Sequence, residues 1–226
     1  MDHTIRMEEF DREGALLETA GEAAESLGQS RADFLRKAGL GAGALVAGGS
    51  VLGALPSIAS AAVAKSDIAI LNFALTLEYL EAAFYAEAVS KGKLTGETDL
   101  FARKVSQHES AHVAFLKSAL GAKAVKRPTF NFGNTTTDQS TFEATSQTLE
   151  DTGVEAYLGQ VGNIKSKKIL AAAGSILPVE ARHAAWIRDI RLRKQTGILP
   201  APSSFQGART KRQILAKVAA TKFIVS

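Results

Sequence analysis

The chain of 226 residues contains no cysteine, 5 prolines and a single tryptophan. Without cysteine it can form neither a disulfide nor a cysteine-ligated iron–sulfur centre. A redox reaction in this protein would therefore use a separate electron donor, or none. The lack of disulfides does not argue against export, because an exported domain of this size can fold without them. With 46% hydrophobic residues, the chain is long enough to bury a core.

Signals for β-strands are also scarce. Residues 128–133 form the only segment with an extended pattern, and they lie within the polar stretch 121–141. Apolar residues elsewhere in residues 65–226 recur at helical spacing, so we predict an all-α fold. The polar stretch is expected to be the long crossover between the second and third helices of a four-helix bundle.

Two features of the later helices qualify this picture. Pro178 removes a backbone donor and predicts a kink, or a fresh helix start, in the fourth helix. A last helix, at about residues 208–222, is expected to cap the bundle through one apolar face made of Ile214, Leu215, Val218 and Ala219.

One pattern of acids and histidines occurs twice along the chain. Each copy has a Glu, a Tyr seven residues later, and a Glu-x-x-His motif 30 or 31 residues after the first Glu. The first copy consists of Glu78, Tyr85, Glu109 and His112, and the second of Glu150, Tyr157, Glu180 and His183.

Each of these acids lies in the middle of an apolar stripe with helical spacing, such as Leu71, Leu75 and Glu78. A buried ionised carboxylate is costly unless it is paired or bound to metal, and no Lys or Arg falls on these stripes. Four carboxylates neutralise two divalent cations, and two imidazoles complete their coordination without adding charge. A single Glu-x-x-His is common by chance, but the duplicated pattern predicts a two-metal site inside a bundle.

Residues 67–192 resemble the ferritin-like superfamily. This resemblance implies a ferritin-like four-helix bundle that holds two iron or manganese ions. The segments that resemble its desiccation-related branch are Leu71-Asn72-Phe73-Ala74-Leu75, Leu77-Glu78-Tyr79-Leu80-Glu81, Phe84-Tyr85 and Glu180-Ala181-Arg182-His183.

The resemblance also implies a role for each residue of the repeated pattern. Two acids would bridge the metals, each metal would take one further Glu and one His, and a tyrosine would support each half of the site. Glu109 and Glu180 would bridge the two metals. One metal would also bind Glu78 and His112, and the other Glu150 and His183. The supporting tyrosines would be Tyr85 and Tyr157.

Three neighbouring residues leave alternatives open. Glu81 lies about 60° around the helix from Glu78, so it is a candidate additional ligand, although we expect it to be solvated or to support a ligand. Glu155 lies off its stripe and is expected at the surface. His108 lies about 40° from His112 and could face the site, although a hydrogen-bonded structural role is the expectation.

The first 64 residues differ from the rest, with a net charge of −4 against +8 for residues 65–226. Residues 38–64 contain no charged side chain, and 15 of these 27 residues are Gly or Ala. Small-residue cleavage sites end this run, and Arg31, Arg36 and Lys37 precede it. Residues 30–37 resemble a twin-arginine export signal in which Ala32 replaces the second arginine.

The segment is therefore an export signal, a retained membrane anchor or a buried helix. The first two alternatives place residues 65–226 outside the cytoplasm, in the cell envelope or beyond, with association to the membrane through the N-terminal segment. Basic clusters in the C-terminal part lack interleaved aromatic residues and any nucleic-acid motif. We expect them to be solvated or to contact an anionic envelope, with no nucleic-acid partner.

The expected activity is oxidation of ferrous iron by dioxygen or peroxide, or removal of peroxide. A manganese pair could disproportionate peroxide without an external reductant, which would suit a chain that has no cysteine-based relay. The alternative is a non-enzymatic desiccation- or stress-related envelope protein whose site is structural or sequesters metal. A homo-oligomer is compatible with either function.

Overall fold

The computed structural model describes residues 64–225. Within them the chain forms five α-helices and no strand. A short 3-10 turn, Gly121–Lys123, follows the second helix. The helices are α1 (Lys65–Lys91), α2 (Gly96–Leu120), α3 (Gln139–Val161), α4 (Lys167–Leu192) and α5 (Lys211–Thr221). The predicted all-α class is confirmed. The predicted export or anchor segment, residues 38–64, lies outside the described residues except for Ala64.

The four long helices form two hairpins. Short loops join α1 to α2 and α3 to α4, so the helices of each pair run antiparallel. α1 packs mainly against α2, and α3 mainly against α4. Residues 121–138 connect the two hairpins. The predicted bundle, with its long crossover between the second and third helices, is therefore confirmed.

Local sequence signals account for several helix ends. Gly92 takes a left-handed conformation, with φ of 60°, and its N–H donates to α1 carbonyls, which ends that helix. Asp138 begins α3 by accepting a hydrogen bond from the Thr141 N–H at 2.8 Å. Thr210 and Gln213 form a reciprocal capping box at the start of α5.

The buried apolar side chains form two clusters. One cluster includes Phe84, Phe101 and Ile187, and the other includes Leu116 and Ile176. Because the helices of each hairpin are antiparallel, these clusters fill mainly opposite ends of the bundle. The middle turn of each helix lies between them, and this is where the four acids of the repeated pattern occur.

The crossover is anchored to the C-terminal end of the chain. Phe130 and Ile224 form an isolated antiparallel bridge, with the Asn131 N–H donating to the Phe223 carbonyl at 2.8 Å. Phe132 is buried and packs against the ring of Phe223 at a centroid distance of 5.2 Å. The extended pattern predicted for residues 128–133 thus corresponds to a single bridge rather than a strand.

Helix α5 packs against α3, as expected for a capping helix. Its buried face is narrower than predicted, since Ile214 and Val218 are buried whereas Leu215 is 42% exposed and Ala219 is also exposed. The expectation that all four residues face the bundle was therefore wrong. An 11-residue helix that touches one side of a bundle buries only the residues at i and i+4.

Pro178 does not start a new helix, because α4 runs unbroken from Lys167 to Leu192. The proline ring is exposed, and the residue four positions earlier, Gly174, is exposed as well. Water can therefore reach the Gly174 carbonyl that lacks a helical donor. The helix continues past Pro178 and carries Glu180 and His183 into the bundle.

Among the described residues, α1 alone has the length and hydropathy of a membrane-spanning helix. Its mean hydropathy reaches 1.3 over 18 residues, and 61% of that window is buried within the protein. A core helix of a bundle has the same properties.

Candidate metal centre

Each of the four long helices contributes one central glutamate to the interior of the bundle. The side chains of Glu78, Glu109, Glu150 and Glu180 are all 0% exposed. Helical periodicity places them inward, since each lies on the apolar stripe of its helix. His183 on α4 is buried three residues after Glu180, and His112 on α2 is 12% exposed three residues after Glu109.

One nitrogen of His112 is surrounded by carboxylate oxygens from three helices. Its Nδ1 lies 3.2 Å from Glu78 Oε2, 3.1 Å from Glu109 Oε2 and 3.1 Å from Glu180 Oε1. A single ring N–H can donate one good hydrogen bond, so this group is not explained by hydrogen bonding alone.

The second histidine has a corresponding environment. Nδ1 of His183 lies 3.2 Å from Glu109 Oε1 and 3.2 Å from Glu150 Oε2. In both halves of the site, therefore, Nδ1 faces the carboxylates and Nε2 points away from them.

The ligand atoms form two groups, each spanning no more than 4.8 Å. One group consists of Glu78, Glu109, His112 and Glu180, and the other of Glu109, Glu150, Glu180 and His183. Glu109 and Glu180 belong to both, and these are the two residues expected to bridge the metals. The structure thus brings all six predicted ligands together and divides them as the family resemblance implies.

The chemistry of the donor set suits two cations. Glu109 Oε1 and both carboxylate oxygens of Glu180 are buried without a hydrogen-bond partner in the described residues. Orphaned buried oxygens of this kind are costly unless a cation satisfies them. Metal–ligand bonds of about 2.1 Å at right angles place neighbouring ligand atoms about 3 Å apart, close to the separations found here.

The two tyrosines cross between the halves of the site. The Tyr157 hydroxyl on α3 donates to Glu78 Oε1 on α1, and the Tyr85 hydroxyl on α1 donates to Glu150 Oε1 on α3. Each hydroxyl engages one carboxylate oxygen and leaves the other, Oε2, facing a histidine. Both tyrosines therefore hold a predicted ligand in place, as expected.

Glu81 is buried, so of the two expected roles, a solvated one and a supporting one, only the supporting role agrees with the structure. Its side chain is 3% exposed and lies beside Glu180, opposite the backbone of Gly153. A Cβ atom at Gly153 would lie 3.0 Å from Glu180 Oε2 and 3.3 Å from Glu81 Oε1. The missing side chain at Gly153 thus gives both carboxylates room against α3. Glu81 remains a candidate ligand or a support for one.

His108 forms a hydrogen bond, as predicted, and its partner is the predicted ligand His183. His108 Nδ1 lies 2.8 Å from His183 Nε2, with His108 itself exposed. Burial and the neighbouring His183 lower the pKa of His108 below its usual value.

Glu155 lies away from the centre, as expected, but it is not a free surface residue. Its side chain is 15% exposed and pairs with Lys217 at 2.7 Å and with Arg209 at 3.1 Å. Its role is therefore to hold α5 and the segment before it against α3.

A family model described as the ferritin-like domain matches residues 66–193, more than half of the chain. The chain belongs to the ferritin-like domain family. A comparison with curated proteins finds no match. The likeness to the desiccation-related branch remains a prediction.

The electrostatics of this ferritin-like domain are dominated by its buried acids. Burial raises the pKa of Glu180 well above its usual value, and the charges of Glu109 and Glu78 raise it further. Burial likewise raises the pKa of Glu81 well above its usual value, aided by Glu180 and Glu150. Without a cation, burial therefore favours the protonated form of both acids.

The acids in contact with histidine behave differently from one another. Burial raises the pKa of Glu78 to about 7 despite the opposing charge of His112. Burial acts on Glu109 in the same direction, but its close contacts with His112 and His183 outweigh it and lower its pKa. Burial also opposes the charged form of His183, yet the Glu150 carboxylate raises its pKa to about 10.

An apolar cavity lies one helical turn from the acids, between α1, α2, α3 and α4. Its volume is about 20 Å³, and its walls include Leu71, Phe115 and Ala173. Tyr157 also lines it, with the hydroxyl engaged by Glu78. A space of this size holds about one water-sized molecule, and its walls are mainly apolar, with Gln160 and Tyr157 as the polar residues that line it.

Sequence patterns did not identify the partners in two contacts of this site. The approach of Glu81 and Glu180 to Gly153, and the contact of His108 with His183, both join residues on different helices. Predicting such contacts from sequence requires knowing how far each helix is shifted along its neighbour. A Gly on an otherwise apolar stripe was the one available signal.

Proposed function

We propose that this ferritin-like domain binds two iron or manganese ions and oxidises ferrous iron or removes peroxide. The observation that supports this most directly is the pair of overlapping ligand groups that share Glu109 and Glu180. When bound, a metal pair would supply electron exchange with dioxygen or peroxide. The ligands are oxygen and nitrogen atoms without thiolate, a set that suits either iron or manganese.

The six residues would divide the work of binding. Glu109 and Glu180 would bridge the metals. Glu180 Oε1 faces His112, Glu109 Oε1 faces His183, and neither these oxygens nor Glu180 Oε2 has a hydrogen bond in the described residues. Glu78 and His112 would hold one ion. Glu150 and His183 would hold the other.

Residues around the ligands would control geometry and solvent. Tyr85 and Tyr157 each fix one oxygen of a terminal carboxylate and leave the second oxygen to bind. The mainly apolar cavity beside Tyr157 would admit a small apolar molecule such as dioxygen. The exposed edge of the site lies on the side of His108 and His112.

A non-enzymatic metal-sequestering protein is the second candidate. The observation that supports it is the complete burial of the four central carboxylates, which suits retention of metal.

The deciding experiment uses the full chain purified from its native host. Metal content is measured first, followed by ferrous-oxidation and peroxide-consumption assays on the same sample. We expect about two ions per chain and turnover in at least one assay. Two bound ions without turnover would support the sequestering protein. No bound metal would contradict both.

We also propose that residues 65–226 act outside the cytoplasm. The support is the uncharged segment 38–64 and the basic residues that precede it. Residues 1–66, fused to a reporter active only outside the cytoplasm, should give signal. Loss of that signal in Arg31→Lys would favour the twin-arginine pathway, and no signal from the unmodified fusion would refute export.

A further inference from the structure

The two halves of the proposed metal site differ in the support given to their histidines. Nε2 of His183 lies 2.8 Å from His108 Nδ1. Nε2 of His112 makes no hydrogen bond within residues 64–225, and its side chain is 12% exposed. The partner of His183 is His108, which lies four residues before His112 on α2. The corresponding position on α4, four residues before His183, is Val179, whose side chain cannot form a hydrogen bond with His112.

The geometry of the His108–His183 contact is that of a hydrogen bond between ring edges. The two ring planes differ by 16°, and their centroids are 5.1 Å apart. The centroid separation exceeds the nitrogen–nitrogen distance by about two ring radii. The rings therefore meet edge to edge, with the two nitrogens between the centroids, and are not stacked face to face. An N–H in the plane of one ring therefore points at the lone pair of the other.

This hydrogen bond matches the tautomer of His183 that binds metal through Nδ1. A neutral imidazole that binds metal through Nδ1 must carry its proton on Nε2. Nε2 is the atom that faces His108, and His108 Nδ1 can accept that proton's hydrogen bond. Neutral His108 then carries its own proton on the Nε2 of its ring. Outer-shell partners of this kind hold a ligand in its binding orientation.

We infer that His108 is a positioning residue for His183, and that it makes the Glu150–His183 half of the site the tighter of the two metal positions. This inference rests on the proposed two-metal site. Within residues 64–225, His108 makes no hydrogen bond or ion pair with the carboxylates, so its effect on the site would pass through the ring of His183.

The test is a Co²⁺ titration of the metal-free full chain, followed by visible absorption. The wild-type chain should bind two ions with distinguishable affinities. His108→Ala should weaken the tighter step by about 10- to 100-fold, the range typical of lost outer-shell partners, and leave the other step unchanged. His108→Gln should restore part of the loss, since an amide oxygen can accept from Nε2. Gln107→Ala, an exposed neighbour on α2, is the control.

Two further variants assign the steps to the halves. Glu150→Gln should remove the step that His108→Ala weakens, so that adding His108→Ala to it has no further effect. Glu78→Gln should remove the other step and preserve the full effect of His108→Ala. Melting of the metal-free chain should be similar in wild type, His108→Ala and His108→Gln, which separates positioning from folding.

The outcomes distinguish this inference from the proposed function. If the wild-type chain binds two ions and His108→Ala changes neither affinity by more than about twofold, the positioning role is refuted and the metal site stands. Equal weakening of both steps, without recovery in His108→Gln, also refutes it. If the wild-type chain binds no ion, the proposed metal site itself fails.

Discussion

The four central glutamates are all fully buried, but they differ in the hydrogen bonds and histidine contacts that their carboxylates make. Glu78 and Glu150 each accept a hydrogen bond from a tyrosine. Glu109 lies against both histidines, whereas Glu180 approaches only His112, and neither of its oxygens has a hydrogen bond in the described residues. A bound cation would therefore matter most to Glu180.

We predict that Glu180→Gln abolishes most metal binding. A bridging carboxylate serves both ions, so its loss should weaken binding by more than about 100-fold, beyond the 10–100-fold typical of outer-shell partners. Metal-free Glu180→Gln should melt above the wild type at pH 8, because it removes a carboxyl that burial and Glu109 keep from ionising. Metal titration and thermal melting check both effects.

Glu143→Gln provides a matched control. Glu143 is a glutamate of similar burial, but it accepts from Thr98 at 2.6 Å and pairs with Lys194 away from the centre. Its replacement should leave metal binding unchanged. Equal loss of metal in both variants would contradict the assignment of Glu180 as a ligand.

A second prediction concerns Gly153. In Gly153→Ala the new methyl group would lie 3.0 Å from Glu180 Oε2 and 3.3 Å from Glu81 Oε1, so both carboxylates must shift. We expect metal affinity to fall by about 10-fold or more, equivalent to the 1–3 kcal/mol typical of overpacking. Metal titration measures the effect.

The control for Gly153→Ala is Gly174→Ala, another helical glycine. A Cβ at Gly174 would meet nothing within 4 Å. This change should stabilise the protein slightly, by about 0.5–1 kcal/mol, through helix propensity. Metal affinity that falls equally in both variants would show that helix rigidity, and not space at Gly153, is responsible.

The predictable part of the site was the part that helical periodicity determines. Glu78, Glu109, Glu150 and Glu180 were placed inward from their stripes, and the structure buries all four. The position of Glu81 could not be derived in this way. A residue 60° from a stripe is buried or solvated according to what the neighbouring helix presents, and here that is Gly153.

At the scale of elements, the C-terminal helix is held to the bundle by a close approach of two backbones. The Arg209 N–H donates to the Glu155 carbonyl at 3.2 Å, and the Glu155 side chain pairs with Lys217. A Cβ at Gly159 would lie 1.9 Å from the Arg209 carbonyl oxygen. Only glycine allows the segment before α5 to lie this close to α3.

We therefore predict that Gly159→Ala displaces this segment and destabilises the protein by about 1–3 kcal/mol. Denaturant unfolding should show a lower midpoint. Metal affinity should change little, because Gly159 is not on the ligand stripe. Gly162→Ala is the control, since a Cβ there meets nothing within 4 Å. An unchanged midpoint in Gly159→Ala would refute the backbone-contact argument.

Elements were predictable where a pattern extends over several turns. The four long helices and the crossover follow from periodicity and from the polar stretch, but the local behaviour of α4 and α5 does not. Pro178 lies at the surface, so its missing hydrogen bond can be replaced by water and the helix continues. Leu215 was expected to share one apolar face with Ile214, Val218 and Ala219, whereas the bundle covers only a narrower face of α5.

At the scale of the whole molecule, the site sets how stability responds to pH. In the folded metal-free chain, burial raises the pKa of several acids, so they release their protons at a higher pH than after unfolding. For Glu78 the pKa is raised to about 7 from an unfolded value of 4.5. The folded state therefore binds more protons than the unfolded state between these values, and stability falls as the pH rises through this window. Glu180 and Glu81 act in the same direction.

The histidines extend this trend to higher pH. His183 has its pKa raised to about 10 from 6.5. The stability that it contributes is present in full below pH 6.5 and is lost as the pH rises towards 10. Glu109 acts in the opposite sense, because its lowered pKa contributes stability that is lost only as the pH falls below 4.5.

We accordingly predict that the melting temperature of the metal-free chain falls between pH 6 and pH 8, while the stabilisation by added Mn²⁺ grows. Protons and metal compete for the same ligands, so metal affinity rises as the acids lose their protons. A ligand that binds only the folded state adds about 2.7 kcal/mol at 100 times its dissociation constant. Thermal melting with and without Mn²⁺ at both pH values tests this.

The double variant Glu78→Gln, Glu150→Gln is the comparison for that experiment. Each amide retains an oxygen that can accept from Tyr157 or Tyr85 but cannot ionise. The metal-free variant should therefore melt higher than wild type at pH 8, depend less on pH, and gain little from Mn²⁺. If the wild-type metal-free chain instead becomes more stable from pH 6 to pH 8, its buried acids are not held protonated. If Mn²⁺ stabilises wild type and variant equally, the ions bind elsewhere, since these two glutamates are the only acids assigned to single metals in the proposed site.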